Sequence, residues 1–322
     1  MQMETNSTAD NTIVEKRIDS ETACDEEQYL QLIANILRTG TRENTRNGDT
    51  LSLFGASMRF SLLREGQAII PLMTTKRLAW KTCLKELLWF VRGETDNKLL
   101  QQQNVHIWNA NGSREFLDSR GLYQNRENDL GPVYGHQWRH FNAPYENCDV
   151  DYSSVSDKGV DQLQRIIEIL THDDEQVKKQ NMRRLVMSAW NPCQLDQMAL
   201  PPCHILVQFH VTDDKYLSCA LYQRSGDVGL GVPFNIASYA FLTHLIAHHC
   251  GLVAKEFVHF IGDAHIYVEH CDALQEQMKR MPYQSPSIHI SNKYDNINDY
   301  QFTDFQITDY QHHDTIKMEM KA

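Results

Sequence analysis

The sequence predicts a single domain of the α/β class, and three observations lead to this prediction. Two β-rich runs follow one another from Ile205 to Gln223, and a third extends from Leu51 to Leu63. Apolar residues recur at helical spacing elsewhere, most clearly from Trp80 to Val91. No Pro/Gly/Ser-rich linker divides the 322 residues, which suffice for a large core. We therefore expect one compact domain over residues 26–322.

Composition and charge narrow the class of protein. The hydrophobic share of 41% and the charged share of 23% are typical of a globular domain. The formal net charge of -11 would repel a polyphosphate, so general nucleic-acid binding is not expected. A small phosphorylated ligand remains compatible with this charge if a few arginines are concentrated in one place.

The cysteines and the apolar runs bear on the compartment. The 8 cysteines are scattered without a Cys-x-x-Cys pair, which disfavours a zinc site or disulfide scaffold and is typical of a reducing compartment. The first residues are polar and acidic, unlike a secretory signal. Polar residues interrupt the apolar run from Ile236 to Ala247, which favours a buried helix over a membrane span. We expect a cytoplasmic protein without a membrane anchor, and a nuclear location stays open.

The remaining elements follow in chain order. Residues 1–25 are rich in Thr, Asn, Asp and Glu and predict a disordered tail. Helical spacing from Glu26 to Leu37 predicts a helix, and the polar segment 40–49 predicts a loop. Residues 144–181 are largely polar, apart from a helical stretch from Val160 to Leu170, and predict a surface insertion.

Two elements frame the second half of the chain. Arg183 and Arg184 precede a strand predicted from Leu185 to Trp190. Both can reach one anion only if the strand begins after them, and otherwise they are surface charges at its entrance. The apolar segment from Phe234 to Cys250 predicts a buried helix that ends at Gly251.

The two β-rich runs predict a hairpin that carries a reactive pair. A turn centred on residues 213–214 pairs Val211 with Tyr216. Further out, the same register places Cys203 opposite Arg224, with Cβ atoms about 5 Å apart. A cation at that distance lowers the pKa of a thiol and makes it a better nucleophile. A structural cysteine beside an arginine at the sheet edge fits the pattern equally well.

Glu86 and Tyr134 are candidate acid/base groups. Glu86 lies on a helix that is apolar nearly all round, so burial is expected to raise its pKa. The alternative is a solvent-exposed carboxylate beside Lys85. Tyr134 lies between glycines on a predicted loop, where its phenol could exchange a proton with a substrate carbon or simply pack as an aromatic.

Several histidines are candidates for binding a sugar hydroxyl or a metal ion. His265 and Tyr267 are two positions apart and share a face if the chain is extended, so both could hydrogen-bond a sugar hydroxyl. The pairs at 248–249 and 312–313 do not share a helix face, and no metal site is expected.

Long sequence blocks closely resemble the thymidylate synthase family. The resemblance runs from about Gln28 to the C-terminus, and the spacing between the first three blocks also matches. The blocks are Leu200–His204, Tyr222–Asp227, Gly231–Tyr239, Leu87–Phe90, Gly131–Gly135, Gln137–Arg139 and Gly262–Tyr267.

The resemblance implies a fold and an activity. The fold would be a central mixed sheet flanked by helices, in a homodimer packed sheet on sheet. The activity would be reductive methylation of dUMP by 5,10-methylenetetrahydrofolate, giving dTMP and dihydrofolate through a covalent adduct on Cys203. The folate is a co-substrate that also delivers the hydride, and neither a metal nor a nicotinamide is implied.

The resemblance also implies residue roles. The catalytic group is Cys203, Glu86, Tyr134, Arg224, Asp227 and His204. The dUMP group is Arg46, Arg183, Arg184, Gln223, Arg224, Ser225, Asp227, Asn235, His265 and Tyr267, with Arg183 and Arg184 reaching the other subunit's site. The folate group is Trp108, Asn111, Asp227, Gly231, Phe234 and Ala322.

This chain departs from the family pattern in three places. The Arg46 loop is one residue shorter and carries Asp49. Asn109 replaces a common Asp beside Trp108, and the chain ends in Lys321-Ala322 instead of a short apolar end.

Three rival functions remain open. A dCMP hydroxymethylase of the same family carries Asp where this chain has Asn235, so Asn235 favours uracil. A nucleotide-binding protein without turnover is the second rival. A cysteine hydrolase with a Cys203-His204 dyad is the third, although adjacent strand residues diverge.

Overall fold

The computed structural model describes residues 24–45 and 47–320. Residues 1–23, which make up nearly all of the expected tail, lie outside the described residues, and so do Arg46 and Ala322. The described part forms one mixed α/β unit in which helices surround a central sheet, as the sequence predicted.

Nine helices of at least five residues lie in the described ranges. They are α1 (Glu26–Thr39), α2 (Trp80–Val91), α3 (Asn97–Gln101), α4 (Arg114–Ser119), α5 (Tyr134–Arg139), α6 (Gln162–Leu170), α7 (Glu175–Asn181), α8 (Gly231–Cys250) and α9 (Cys271–Met278). The strands are β1 (Thr41–Thr45), β2 (Gly48–Ser61), β3 (Leu63–Arg64), β4 (Gln67–Ala68), β5 (Val186–Ser188), β6 (His204–Thr212), β7 (Tyr216–Asp227), β8 (Val253–Tyr267), β9 (Ser287–Ile290) and β10 (Phe305–Thr308).

Six strands form the central sheet in the order β1-β2-β8-β7-β6-β5. Neighbours are antiparallel except β7 and β8, which run parallel, so the sheet is mixed. Helix α8 packs against β7 and β8 and is buried around most of its circumference, as its apolar sequence predicted. It ends at Gly251, whose φ of 73° is the left-handed conformation that favours glycine at this position.

The opposite face of the sheet carries a row of exposed apolar side chains. Leu206, Tyr222 and Phe260 occupy paired positions on β6, β7 and β8 and are 40%, 39% and 43% exposed. Val186 on the edge strand β5 adds to the row and is 37% exposed. A contiguous apolar surface of this kind is typical of a protein–protein interface.

Two local predictions are wrong. Segment 40–49 is not a loop, because β1 and the start of β2 pair there as an antiparallel hairpin. All five residues of β1 are exposed, so no apolar alternation revealed the strand. Tyr134 is not in a loop either, because it is the first residue of the short helix α5.

The hairpin of β6 and β7 also differs from the predicted register. Tyr216 pairs with Thr212 and not with Val211, because the turn contains three residues, 213–215. Asp213 and Asp214 have φ angles of 54° and 49° there, a conformation that Asp adopts more readily than most residues.

The segment expected to be an insertion includes α6 and α7. Helix α7 buries no side chain, which places it on the surface, whereas α6 buries four apolar residues. Its status as an insertion stays a prediction. Across the described ranges, no helix has the length and hydropathy needed to cross a bilayer.

Candidate active site

A β-bulge brings Cys203 opposite Arg224. The register of β6 and β7 shifts by one between His204 and Leu206, which compensates for the three-residue turn. The Arg224 amide donates to the Cys203 carbonyl at 2.9 Å, so the predicted pairing is confirmed by a different route. The Arg224 guanidinium donates to the carbonyls of Pro202 at 2.9 Å and Pro201 at 3.2 Å.

Arg224 was expected to lower the pKa of the Cys203 thiol, and the structure shows this effect together with a larger opposing one. Burial raises the pKa of Cys203, and the Arg224 charge lowers it by less, so the net direction is upward in the ligand-free chain. The predicted lowering of the thiol pKa by Arg224 is confirmed, but burial of the thiol, which the sequence did not indicate, outweighs it. Arg224 is still the group that favours the thiolate.

Tyr134 lies directly against the nucleophile. Its hydroxyl accepts a hydrogen bond of 2.8 Å from the Cys203 amide. Its ring packs against Phe90, His204 and Trp108, with centroids 4.9, 5.2 and 6.3 Å apart. Burial raises the pKa of Tyr134 well above its usual range, so the phenol keeps its proton at neutral pH. Donation of that proton to a ligand remains possible.

Glu86 faces the same space from helix α2. The Trp108 indole donates to Glu86 Oε1 at 2.7 Å. Burial raises the pKa of Glu86 to about 7, although the Trp108 hydrogen bond opposes the rise. The prediction of a raised pKa is confirmed, and the exposed alternative beside Lys85 is not what the structure shows. A carboxyl group with this pKa can give or take a proton near neutrality.

Asn235 enters the site from the first turn of α8. Its Oδ1 accepts a hydrogen bond of 2.9 Å from Gln223 Nε2. Gln223 is 2% exposed, so its amide contacts protein groups, where the sequence had suggested a substrate contact. His204 also contacts Asn235, and burial lowers the pKa of His204 to about 4, which keeps the imidazole neutral. The resemblance predicts that Cys203, Tyr134, Glu86 and Asn235 contact a pyrimidine, and we therefore call these four residues the pyrimidine side of the site.

Asp227 and Gly231 continue the site at the end of β7. Asp227 Oδ1 accepts from the Gly229 amide at 2.8 Å. A Cβ added at Gly231 would lie 3.8 Å from the Asp227 Cβ and 3.9 Å from Asn235 Oδ1, so the three residues are neighbours. Lys76 was not predicted from the sequence, and its ammonium group donates to the Gly229 carbonyl. Burial lowers the pKa of Lys76 to about 8, and the charge of Asp227 opposes this lowering.

The other residues of the folate group lie around this space. Trp108 and Asn111 are both buried, at 7% and 9% exposure. The Phe234 carbonyl accepts from the Cys83 thiol at 3.3 Å, which joins α8 to α2. The C-terminal segment covers the same end, because the Glu319 carbonyl lies 2.9 Å from His270 Nε2. These residues form an aromatic and polar surface at this end of the site.

A second cleft contains three of the residues predicted to bind the sugar or the phosphate, namely Ser225, His265 and Tyr267. Its volume is about 220 Å³, and its lining residues are Thr45, Asn47, Thr50, Ser225, Asp263, His265 and Tyr267. Thr45 and Asn47 flank Arg46, so the loop predicted to hold a phosphate-binding arginine borders this cleft.

Asp263 is a member of this cleft that sequence reasoning missed. Its carboxylate accepts from Ser52 and, at 3.5 Å, from Ser225, and it lies 3.3 Å from His265 Nδ1. Burial opposes protonation of His265, but Asp263 outweighs it and raises the pKa of His265. The alternation of Asp263 and His265 on one strand face was the available signal.

Arg183 and Arg184 lie far from this cleft within the same chain. They form a 3-10 turn that ends before β5, so the strand does begin after them. The neighbouring Leu185 carbonyl accepts from Phe209 near the far end of β6. Cys203 precedes β6, six residues before Phe209, which corresponds to about 20 Å of strand. We call Ser225, Arg183 and Arg184 the phosphate side of the site.

One group of possible metal ligands occurs in the described ranges, outside this site. Asp96, Cys148 and Asp149 place ligand atoms within 4.8 Å of one another. Arg126 pairs with Asp96 at 2.7 Å and with Asp149 at 2.8 Å. A single guanidinium therefore pairs with both carboxylates and offsets part of their negative charge.

Comparison with known proteins gives a consistent result. The family model described as thymidylate synthase matches residues 27–322. The thymidylate synthase of Homo sapiens is 54% identical over 295 residues, covering 91% of this chain and 90% of the human protein.

The bifunctional dihydrofolate reductase-thymidylate synthase of Leishmania major is 53% identical over 298 residues. The match covers 92% of this chain and 55% of the bifunctional protein, so the chain spans about half the length of that relative. A family match over residues 27–322 and identities above one half over nine-tenths of the chain lead to one conclusion: this chain belongs to the thymidylate synthase family.

Proposed function

We propose that this chain methylates dUMP to dTMP, with 5,10-methylenetetrahydrofolate as donor of both the one-carbon unit and the hydride. The observation that carries the proposal is the arrangement around Cys203. The Arg224 amide bonds to its carbonyl and Tyr134 bonds to its amide, within a family whose human member is named thymidylate synthase. Dihydrofolate is the second product.

The pyrimidine side supports a defined sequence of steps. The Cys203 thiolate adds to carbon 6 of uracil, and the resulting enolate at carbon 5 attacks the one-carbon unit. Glu86, with its pKa of about 7, exchanges protons around the pyrimidine carbonyl. Tyr134, next to Cys203, keeps its own proton and acts through a water molecule that removes the proton at carbon 5. Loss of the carbon 5 proton expels tetrahydrofolate and leaves a methylene group on carbon 5. Hydride transfer from tetrahydrofolate to this methylene gives the methyl group and dihydrofolate, and Cys203 leaves carbon 6 as the thiolate.

Asn235 is proposed to recognise the base. Its amide offers one donor and one acceptor, which match the carbonyl oxygen and the ring N–H of uracil. Cytosine presents the opposite pattern. This arrangement favours dUMP over dCMP as the substrate and disfavours the hypothesis of a dCMP hydroxymethylase.

The phosphate side is proposed to be shared between two subunits. Arg183 and Arg184 are exposed and lie at the far end of β6 from Cys203, so they suit the site of a second chain. The apolar row of Leu206, Tyr222 and Phe260 supports a sheet-on-sheet homodimer. Two-fold symmetry would then give each site the partner's arginines.

The dimer has its own test. Phe260→Asp places a charge at the β8 end of the apolar row without touching the pyrimidine side. Sedimentation velocity is expected to show dimers for the wild type and monomers for the variant. A variant that remains dimeric would contradict the proposed interface.

The compartment is also a proposal. All eight cysteines are free thiols, although several are partly exposed. This supports a reducing location such as the cytoplasm. Reaction of the purified native protein with a thiol reagent, before and after reduction, tests whether the thiols are free in the source cell.

The activity is tested by following dihydrofolate with purified protein and methylenetetrahydrofolate, comparing dUMP, dCMP and no nucleotide. Dihydrofolate is expected with dUMP only and not in Cys203→Ser, while that variant still binds dUMP. Turnover of dCMP without dihydrofolate would support a hydroxymethylase instead. Tight dUMP binding without turnover would leave a binding protein.

A further inference from the structure

A chain of buried hydrogen bonds leads from β8 to Asn235. His259 Nε2 lies 2.8 Å from Gln223 Oε1, and Gln223 Nε2 donates to Asn235 Oδ1 at 2.9 Å. His259 is fully buried and Gln223 is 2% exposed. Water therefore does not compete for these hydrogen bonds. A donor facing a donor, or an acceptor facing an acceptor, would destabilise the fold here.

The backbone fixes the orientation of the Gln223 amide. Gln223 Nε2 is also 2.9 Å from the Ser225 carbonyl, which can only accept a hydrogen bond. The two hydrogens of the Gln223 amide are thus used by Ser225 and Asn235. Its Oε1 consequently faces His259 and requires a donor there.

His259 meets this requirement in only one tautomer. Burial lowers its pKa to about 3, with the neighbouring His204 acting in the same direction, so the imidazole is neutral and has a single N–H. The proton must lie on Nε2, because Gln223 Oε1 cannot donate. His259 Nδ1 has no hydrogen-bond partner among the described residues, which agrees with an unprotonated nitrogen.

This order has a consequence for Asn235. Its Oδ1 must accept from Gln223, and a uracil N–H would be a further donor to this oxygen, beside the contact that His204 makes with the same side chain. If the Asn235 amide rotated by 180°, its NH2 group would face the NH2 group of Gln223. The rotated form is the one that would fit cytosine, because cytosine presents an acceptor where uracil presents an N–H.

We propose that His259 is a positioning residue that sets the preference of the site for uracil over cytosine nucleotides. It acts by holding Gln223, and through Gln223 it holds Asn235. The inference deepens the proposed function and rests on the proposed recognition role of Asn235. His259 itself touches neither nucleotide nor folate.

The test compares three variants at position 259 with one control. His259→Phe keeps an aromatic ring without an N–H, and His259→Asn shifts its amide away from the Nε2 position. His259→Gln places an amide N–H near the Nε2 position. The control is His244→Phe, because His244 is also buried and bonds only to the Ile69 carbonyl, at 2.9 Å.

The measured quantity is the ratio of dissociation constants for dCMP and dUMP, obtained by equilibrium dialysis. Loss of one buried hydrogen-bond donor predicts that the ratio falls about 10-fold in His259→Phe and His259→Asn. His259→Gln is expected to stay within about threefold of the wild type, since it retains a donor. His244→Phe is expected to lose stability and keep the wild-type ratio.

A folded His259→Phe with an unchanged ratio, or with both affinities reduced equally, would overturn the inference. If that variant does not fold, His259→Asn carries the same test. Asn235→Ala distinguishes the proposed role of Asn235 from the proposed role of His259. If it leaves the ratio unchanged, the proposed role of Asn235 fails and the inference fails with it. If it removes the preference while folded His259→Phe and His259→Asn keep it, only the role of His259 fails.

Discussion

The pyrimidine side and the phosphate side differ in how completely one chain builds them. On the pyrimidine side, Glu86, Tyr134 and Asn235 each have a defined protein partner within hydrogen-bond distance. On the phosphate side, Arg183 and Arg184 are exposed and distant from Ser225. One region is therefore organised in advance, whereas we propose that the other is completed by a second chain.

The difference follows from the chemistry that each region would perform. Covalent catalysis requires a fixed geometry and shifted pKa values, which a buried site within one fold provides. A phosphate dianion is held by guanidinium groups, which remain effective at a surface and can come from a neighbouring chain. Dimerisation would then control nucleotide binding more than it controls the reactive groups.

The largest expected effect comes from breaking the pyrimidine side. Glu86→Gln removes the proton-exchanging carboxyl but keeps a group that can accept from Trp108. We expect kcat to fall by about 10²–10⁴-fold, and the inflection near pH 7 in the wild-type profile to disappear. The measurement is kcat from pH 6 to pH 8, with Glu115→Gln on α4 as an exposed control. A variant with the wild-type profile would show that Glu86 is not the titrating group.

A smaller effect is expected from weakening the phosphate side. Arg183→Ala and Arg184→Ala each remove charge-assisted contacts, so the dissociation constant of dUMP is expected to rise about 10-fold to 100-fold. The kcat value should change less, because the reactive groups stay in place. Titration calorimetry with dUMP measures this, and Arg38→Ala on α1 controls for the lost charge. Unchanged dUMP affinity in both variants would remove these arginines from the site.

The smallest expected effect concerns stability. The pKa of Glu86 is about 7 in the folded chain, whereas an ordinary glutamate, as in the unfolded chain, has a pKa of 4.5. Below pH 4.5 both states are protonated and Glu86 contributes nothing, whereas above pH 7 the fold must bury a carboxylate. Glu86→Gln is therefore expected to be more stable than the wild type by about 1–3 kcal/mol at pH 8, with no gain at pH 4.5.

Urea unfolding at pH 4.5 and pH 8 measures this difference. An equal effect at both pH values would mean that packing, and not burial of charge, determines the stability of the variant. The activity and stability tests on Glu86 thus examine the same pKa from two independent directions.

Much of the fold could be predicted from the sequence because its signals are local. Helix α2 has the predicted bounds, and α8 ends at Gly251 as the glycine indicated. Strand β1 could not be predicted, since both its faces are exposed and its hydrogen bonds with β2 are made by the backbone. The bulge beside His204 also left no sequence signal, although it determines which residue lies opposite Arg224.

Site residues could be predicted where a sequence block resembled the family. The pKa values of these residues were harder to predict, because they depend on burial. The raised pKa of Glu86 followed from its apolar helix, but the upward shift of Cys203 required the three-dimensional surroundings. His259 could not be assigned from pattern alone, because it acts through Gln223, which is distant in sequence and lies on another strand.

The claim that each site is completed by a second chain is tested most directly by mixing two variants and assaying them at a dUMP concentration near the wild-type dissociation constant, where each variant alone is expected to be nearly inactive. One carries Cys203→Ser, and the other carries Arg183→Ala together with Arg184→Ala. After unfolding and refolding together, random pairing gives heterodimers in which one site has both an intact Cys203 and intact arginines, so about a quarter of wild-type activity is expected. Activity no higher than the sum of the two variants refolded separately would contradict the shared site.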